Sequence, residues 1–141
     1  MPVTGLAGEQ RTLPALLGGR PALVNLWAPW CTSCVREMPR LERIARHAAG
    51  CGAAIVAVAV GESPASLAAF PRARSIPYPV YTDPGFALAD ALGRRQIPAT
   101  LVVDRAGRIV FEGAAIDSGA ISALESALGP RPTACGLREA L

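Results

Sequence analysis

The chain contains no lysine: all 14 basic residues are arginine, set against 11 acids and one histidine for a formal charge of +3. The arginines are scattered and interrupted by acids, so no basic stripe argues for a nucleic-acid partner. Long hydrophobic runs are also missing. The longest, residues 53–60, falls far short of the ~20 apolar residues a membrane-spanning helix requires. Charged residues make up only 18% and hydrophobic residues 51%, which excludes a disordered chain. Four cysteines in 141 residues are too few for a miniprotein built on disulfides. The first ten residues lack the basic start, apolar stretch and small-residue cleavage site of a secretory leader. Two cases stay open: a cytosolic protein, or a chain that begins after a removed leader.

At this length one domain is expected, and roughly two thirds of the unfolded surface can be buried. No repeat or low-complexity tract appears. Residues 3–20 are apolar stretches broken by Gly5, Gly8, Gly18 and Gly19, which suggests a β-hairpin or an irregular lead-in. Residues 22–26 read as a buried strand. A helix follows over about 32–48, with Val35, Met38, Leu41, Ala45 and Ala48 on one face and Pro39 inside it as a kink. Residues 53–60, AAIVAVAV, read as a central parallel strand covered on both faces. Residues 64–70 form a short helix with Ser63 as N-cap and Pro64 in its first turn. A strand at 80–82 precedes a helix at 84–92 closed by Gly93. Strands 100–103 and 108–112 share a short link and must be antiparallel. A last helix covers about 118–128, stopped by Gly129-Pro130. The domain is therefore set at 1–128, with 129–141 as a tail. The alternation of strands and helices predicts an α/β fold with a mixed sheet.

The chemistry concentrates in Trp27-Ala28-Pro29-Trp30-Cys31-Thr32-Ser33-Cys34. It lies directly after a buried strand and opens a helix. A thiol at a helix N-terminus meets unpaired backbone N–H groups and the positive end of the macrodipole. Both favour the thiolate, and cysteines so placed ionise at ~3.5–7.5 against ~8.5 for a free thiol. Two intervening residues let the sulfurs bond across the first turn. Cys31, the outer residue, is the candidate nucleophile, and Cys34 the shielded resolving thiol. A zinc site would need a second ligand pair. Cys51, Cys135 and His47 do not supply one at any usual spacing.

Trp-Ala-Pro-Trp-Cys-Thr-Ser-Cys resembles the active-site segment of the thioredoxin superfamily. Pro39, eight residues after Cys31, matches the family's helix proline. Ile97-Pro98-Ala99-Thr100 matches its cis-proline segment, and Gly107 and Gly113 resemble the glycines flanking the next strand, at shorter spacing. The resemblance covers about residues 20–128. It implies a thioredoxin-like fold: a central mixed β-sheet flanked by helices on both faces, with an N-terminal hairpin and an inserted helix–strand–helix segment at 61–92. It also implies that Pro98, which sequence alone reads as an ordinary trans proline, is cis. The Ile97 backbone would then face Cys31 and pair with an extended substrate segment.

Glu37 in Cys-Val-Arg-Glu-Met-Pro, Val60-Gly61-Glu62-Ser63 and the insert together resemble the TlpA-like thiol–disulfide oxidoreductases, many of which serve cytochrome c biogenesis outside the cytoplasm. The small thioredoxins carry a buried aspartate six residues before the first cysteine, where this chain has Asn25. Asn25 cannot act as a base, so Glu37 becomes the candidate proton carrier for Cys34. The competing reading of Glu37 is a solvated helix glutamate paired with Arg36 or Arg40. Trp30 is expected to shape the apolar rim around Cys31, and Trp27 to support it from the core. Thr32 and Ser33 would tune the potential, which spans ~150 mV among proteins of this type. His47 reads as a surface residue. Cys51 and Cys135 read as non-catalytic, with a mutual disulfide, free thiols or a link between chains left open. Arg94-Arg95 could dock an acidic partner or form a solvated loop.

The expectation is an enzyme, a thiol–disulfide oxidoreductase acting on protein disulfides, a reductase in cytochrome c maturation or general thiol homeostasis. It would work as a monomer without a bound cofactor, with protein thiol or disulfide substrates and an upstream electron-donor protein. Resemblance places it in the periplasm or otherwise outside the cytoplasm; the absence of a visible leader keeps the cytoplasm as the alternative. Two other readings compete. A peroxiredoxin-like peroxidase would place a threonine and a proline ahead of a single reactive cysteine, and the segment directly ahead of Cys31, Trp27-Ala28-Pro29-Trp30, has no threonine. A copper-binding or delivery module would use Cys31 and Cys34 as soft ligands with a downstream histidine. The only histidine is His47.

Overall fold

β3 (Ala22–Trp27, ALVNLW) and β4 (Ala54–Val60, AIVAVAV) carry a single polar side chain between them, Asn25. Strands apolar on both faces must be covered on both faces. In the computed structural model, which describes residues 2–70, 76–93, 96–130 and 136–141, they pair in parallel near the centre of a seven-stranded sheet. β5 (Val80–Asp83) extends the parallel run beside β4. β6 (Ala99–Val103) lies antiparallel to β3, and β7 (Ile109–Gly113) antiparallel to β6 at one edge. The hairpin of β1 (Pro2–Gly5) and β2 (Gln10–Thr12) adds to the other side through β5. The order is β2-β1-β5-β4-β3-β6-β7, a mixed sheet as the sequence implies.

The alternation of side chains splits the core into two layers. Leu23 and Trp27 of β3, Ile55, Ala57 and Ala59 of β4 and Val102 of β6 face α2 (Thr32–Cys51), α3 (Pro64–Ala68) and α5 (Ser118–Leu128). Val24, Leu26, Val56, Val58 and Leu101 face α1 (Leu13–Leu17) and α4 (Ala87–Ala91). α2 turns Cys34, Met38, Leu41, Ile44 and Ala48 to the sheet. Val35 and Ala45 of the predicted face are only partly buried, because the buried stripe also passes through Cys34 and Ile44.

Three elements depart from the sequence reading for local reasons. The lead-in forms the expected hairpin but ends in α1, which five residues leave too short to show a period. Its signals are Thr12 accepting the Ala15 N–H at 3.4 Å and Gly18 at φ 58°. α2 runs to Cys51 because Gly52, at φ 77°, is the residue that can adopt the left-handed closing turn. α4 begins at Ala87 rather than 84. The buried Asp83 carboxylate takes the N–H groups of Leu88 and Ala89 at 3.1 and 2.9 Å, and residues 84–86 become the turn that delivers them.

The segment read as a tail rejoins the molecule at residues 136–141. Leu137 and Ala140 are buried in the layer that holds α2 and α5. Arg43 donates to the Ala140 carbonyl at 3.0 Å, and Arg138 pairs with Glu125 at 2.9 Å. Two apolar residues at spacing three in a proline-containing segment give no helical or strand signal, so this docking is invisible before packing is known.

Candidate active site

The end of β3 delivers the dithiol. After Trp27 the chain turns, with Cys31 N–H donating to the Ala28 carbonyl at 3.1 Å, and α2 begins. Cys31 is the N-cap of that helix, in extended backbone at φ −89° and ψ 104°. Its sulfur takes the position a serine or aspartate oxygen usually fills. The Cys34 N–H points at Cys31 Sγ at 3.3 Å, and Ser33 Oγ stands 3.5 Å from the same sulfur. No acidic side chain stands in the first turn of α2 itself to offset the positive end of the helix. Donors of this kind at a helix N-terminus favour a thiolate over a thiol.

Cys31 and Cys34 are joined in a disulfide, with their Cα atoms 5.2 Å apart. Cys31 is 8% exposed and Cys34 4%, while Trp30 beside them is 68% exposed. Trp27 is buried and packs on Phe70 with ring centroids 5.7 Å apart, which is the core-supporting role expected of it.

The proline segment arrives from the other direction. The Ile97–Pro98 peptide is cis. Ala99, the next residue, starts β6 opposite Leu26, one residue before the end of β3. The antiparallel register thus brings residues 97–99 to the same end of the sheet as Cys31. Asn25 is buried here, and its Nδ2 donates to the Ala99 carbonyl at 3.4 Å. Thr100, directly across from Asn25, has a fully buried hydroxyl without a hydrogen-bond partner among the described residues.

Glu37 lies one helical turn beyond Cys34. Its Oε2 accepts the Ile116 N–H at 2.8 Å, and its Oε1 is buried without a partner among the described residues. Arg40 donates to the carbonyl of that same Ile116 at 2.8 Å. The solvated-glutamate reading therefore gives way: the two side chains grip opposite ends of one residue in the β7–α5 loop. Ile116 is the residue sequence reasoning missed. It acts through its backbone, so side-chain patterns carry no signal for it.

The remaining candidates stand apart. His47 lies on α2 three turns and more past the dithiol, against Gly136. Cys51, in the last turn of α2, is disulfide-bonded; 17 residues separate it from Cys34, about 25 Å along the helix. Cys135 and Arg94-Arg95 lie outside the described residues. Among the described residues no group of three or more His, Cys, Asp or Glu side chains is placed to hold a metal ion, and no helix is long and apolar enough to cross a membrane.

A dithiol capping the helix after a central strand, with a proline segment registered beside it on a mixed sheet, defines a thioredoxin-like protein. The chain belongs to the AhpC/TSA family of the thioredoxin superfamily, whose family model matches residues 2–112. It is 31% identical over 105 residues to the thiol-disulfide oxidoreductase ResA of Halalkalibacterium halodurans, covering 74% of this chain and 59% of that protein. Against ResA of Bacillus subtilis it is 31% identical over 94 residues, covering 67% of this chain and 52% of the relative. The chain thus spans between half and three fifths of the length of these relatives. A solved structure of a secreted Mycobacterium tuberculosis disulfide oxidoreductase homologous to E. coli DsbE shares the fold, with a TM-score of 0.71 at 21% identity, over 87% of this chain and 95% of that one.

Proposed function

We propose that the protein is a thiol–disulfide oxidoreductase that reduces protein disulfides through Cys31 and Cys34. The observation that carries this reading is the Cys31 sulfur at the N-cap of α2, receiving the Cys34 N–H and bonded to the Cys34 sulfur. In the reduced protein the Cys31 thiolate attacks one sulfur of a substrate disulfide. A Cys31–substrate disulfide forms, and the other substrate sulfur leaves and takes a proton. Cys34 loses its proton and attacks Cys31 Sγ, expelling the second substrate thiolate. The net exchange turns one substrate disulfide into two thiols while the two protein thiols become the Cys31–Cys34 disulfide. The dithiol is the redox group, so no bound cofactor enters.

Glu37 is the base we assign to Cys34. It is anchored through one oxygen and carries a second, buried oxygen able to accept a proton. Trp30 and the backbone of Ile97 next to Pro98 form the substrate surface, where an extended segment pairs as an added strand. The substrates are thiol proteins of the cytochrome c maturation kind or of general thiol homeostasis, and an upstream protein re-reduces the pair. The protein works as a monomer outside the cytoplasm, in the periplasm of a cell that has one. The names of the ResA relatives and the branch resemblance support this assignment. A peroxidase is disfavoured by the segment Ala28-Pro29-Trp30 ahead of Cys31, which offers no threonine.

The test is dithiothreitol-driven reduction of insulin. The parent protein accelerates it, and both Cys31→Ser and Cys34→Ser abolish the turnover. Cys34→Ser still captures substrate as a stable mixed disulfide on Cys31, seen by mass spectrometry. Full activity of Cys31→Ser would refute the assignment.

A further inference from the structure

Asn25 is a buried amide where every other β3 residue is apolar. On its face of the strand stand Leu23 and Trp27, with Ala57 across on β4 and Thr100 across on β6. A buried amide costs free energy unless it is hydrogen-bonded, a cost that an apolar side chain there would not carry. Among the described residues its side chain makes one hydrogen bond, to the carbonyl of Ala99, the residue directly after Pro98. That bond joins the strand that leads into Cys31 to the segment that the register brings to the same end of the sheet. The ladder between β3 and β6 reaches only as far as Leu26 and Ala99, so the side-chain bond adds a tie at the end where the pairing stops.

We propose that Asn25 is a positioning residue for substrate recognition: its side-chain amide fixes the 97–99 segment against the β3–α2 corner, so that the Ile97 backbone is held ready to pair with an extended polypeptide next to Cys31. The inference rests on the assignment of residues 97–98 to the substrate surface. It differs from the proton-carrier role of the aspartate in small thioredoxins, because an amide holds a carbonyl rather than moving a proton. Polypeptide disulfides need the segment in place. A small aromatic disulfide such as 5,5′-dithiobis(2-nitrobenzoate), which has no backbone to pair, does not.

The experiment compares the two substrates in Asn25→Leu, Pro98→Ala and Thr100→Val, the last removing a neighbouring buried hydroxyl without a hydrogen-bond partner among the described residues. Asn25→Leu is expected to raise the KM for insulin by about tenfold, the scale of one hydrogen bond, while the first thiolate release from the aromatic disulfide stays within about twofold of the parent. Thr100→Val leaves both values at parent level. Where Asn25→Leu does not fold, Asn25→Ala, which removes the amide without overfilling the site, raises the insulin KM instead. If Pro98→Ala raises the insulin KM and neither Asn25 variant does, the positioning role is overturned and the substrate surface stands. If Pro98→Ala leaves the insulin KM unchanged, the substrate surface falls and the positioning role falls with it. Equal losses on both substrates in the Asn25 variants mean a merely structural residue and also overturn the proposal.

Discussion

Glu37 shows what one residue does when its neighbours are known. Its spacing of three from Cys34 was legible in the sequence, and so was a carboxylate near a thiol. The partner was not, because Ile116 lies 79 positions away and offers only its backbone N–H. Held by that bond, Glu37 keeps its other oxygen buried, without a hydrogen-bond partner among the described residues. Removing the carboxylate while keeping the shape separates the two chemical steps. In Glu37→Gln, with the aromatic disulfide as substrate, the first thiolate release by Cys31 keeps its rate. The second release, when Cys34 displaces the mixed disulfide, slows by roughly 100-fold, the lower end of general-base contributions. Stopped-flow absorbance resolves the two phases, and an unslowed second phase would remove Glu37 from the mechanism. Cys31 itself needed less context. A cysteine that follows a buried strand and opens a helix is an N-cap, and the helix supplies the donors.

At the scale of elements, the caps repeat this pattern of local determination. Ser63 was readable as the start of α3, and the structure gives it a reciprocal cap: Ser66 N–H to Ser63 Oγ at 3.0 Å and Ser63 N–H to Ser66 Oγ at 2.9 Å. Five residues of helix have little stability of their own, so the cap matters. Ser63→Ala is expected to cost about 1 kcal/mol locally, measured as faster hydrogen exchange at the Ser66 and Leu67 amides. The insulin-reduction rate should stay near parent level, because the Ser63 cap acts on the first turn of α3 and supplies no group to the dithiol exchange. Unchanged exchange would mean that packing of Leu67 alone sets the helix. α4 is the counterexample. Its start moved by three residues because the Asp83 carboxylate, at the end of β5, captures two of its amides. A helix boundary set by a preceding strand's side chain is not a property of the helix sequence.

For the whole molecule, the C-terminal segment decides how far the domain extends. Leu137 is 1% exposed and sits in the same layer as the dithiol helix. Leu137→Ala is expected to destabilise the fold by about 2–5 kcal/mol, as other buried leucine truncations do, read as a lowered urea midpoint at unchanged slope. A midpoint equal to the parent would make residues 136–141 a dispensable appendage. The Arg138–Glu125 ion pair nearby contributes little, since the Arg138 side chain is 59% exposed.

The sequence by itself determined the alternation of strands and helices, the two central strands and the dithiol at the helix start. These depend on apolar runs, periodicity and contacts within one or two turns, and such information is written in neighbouring residues. Only the tertiary structure decided that Ala99 lies against Asn25, that Ile116 anchors Glu37 and Arg40, and that residues 137 and 140 close the core. Each of these joins positions more than seventy apart, or docks a segment without a pattern, through backbone groups or burial that every sequence carries alike. The strand register and helix packing choose among them.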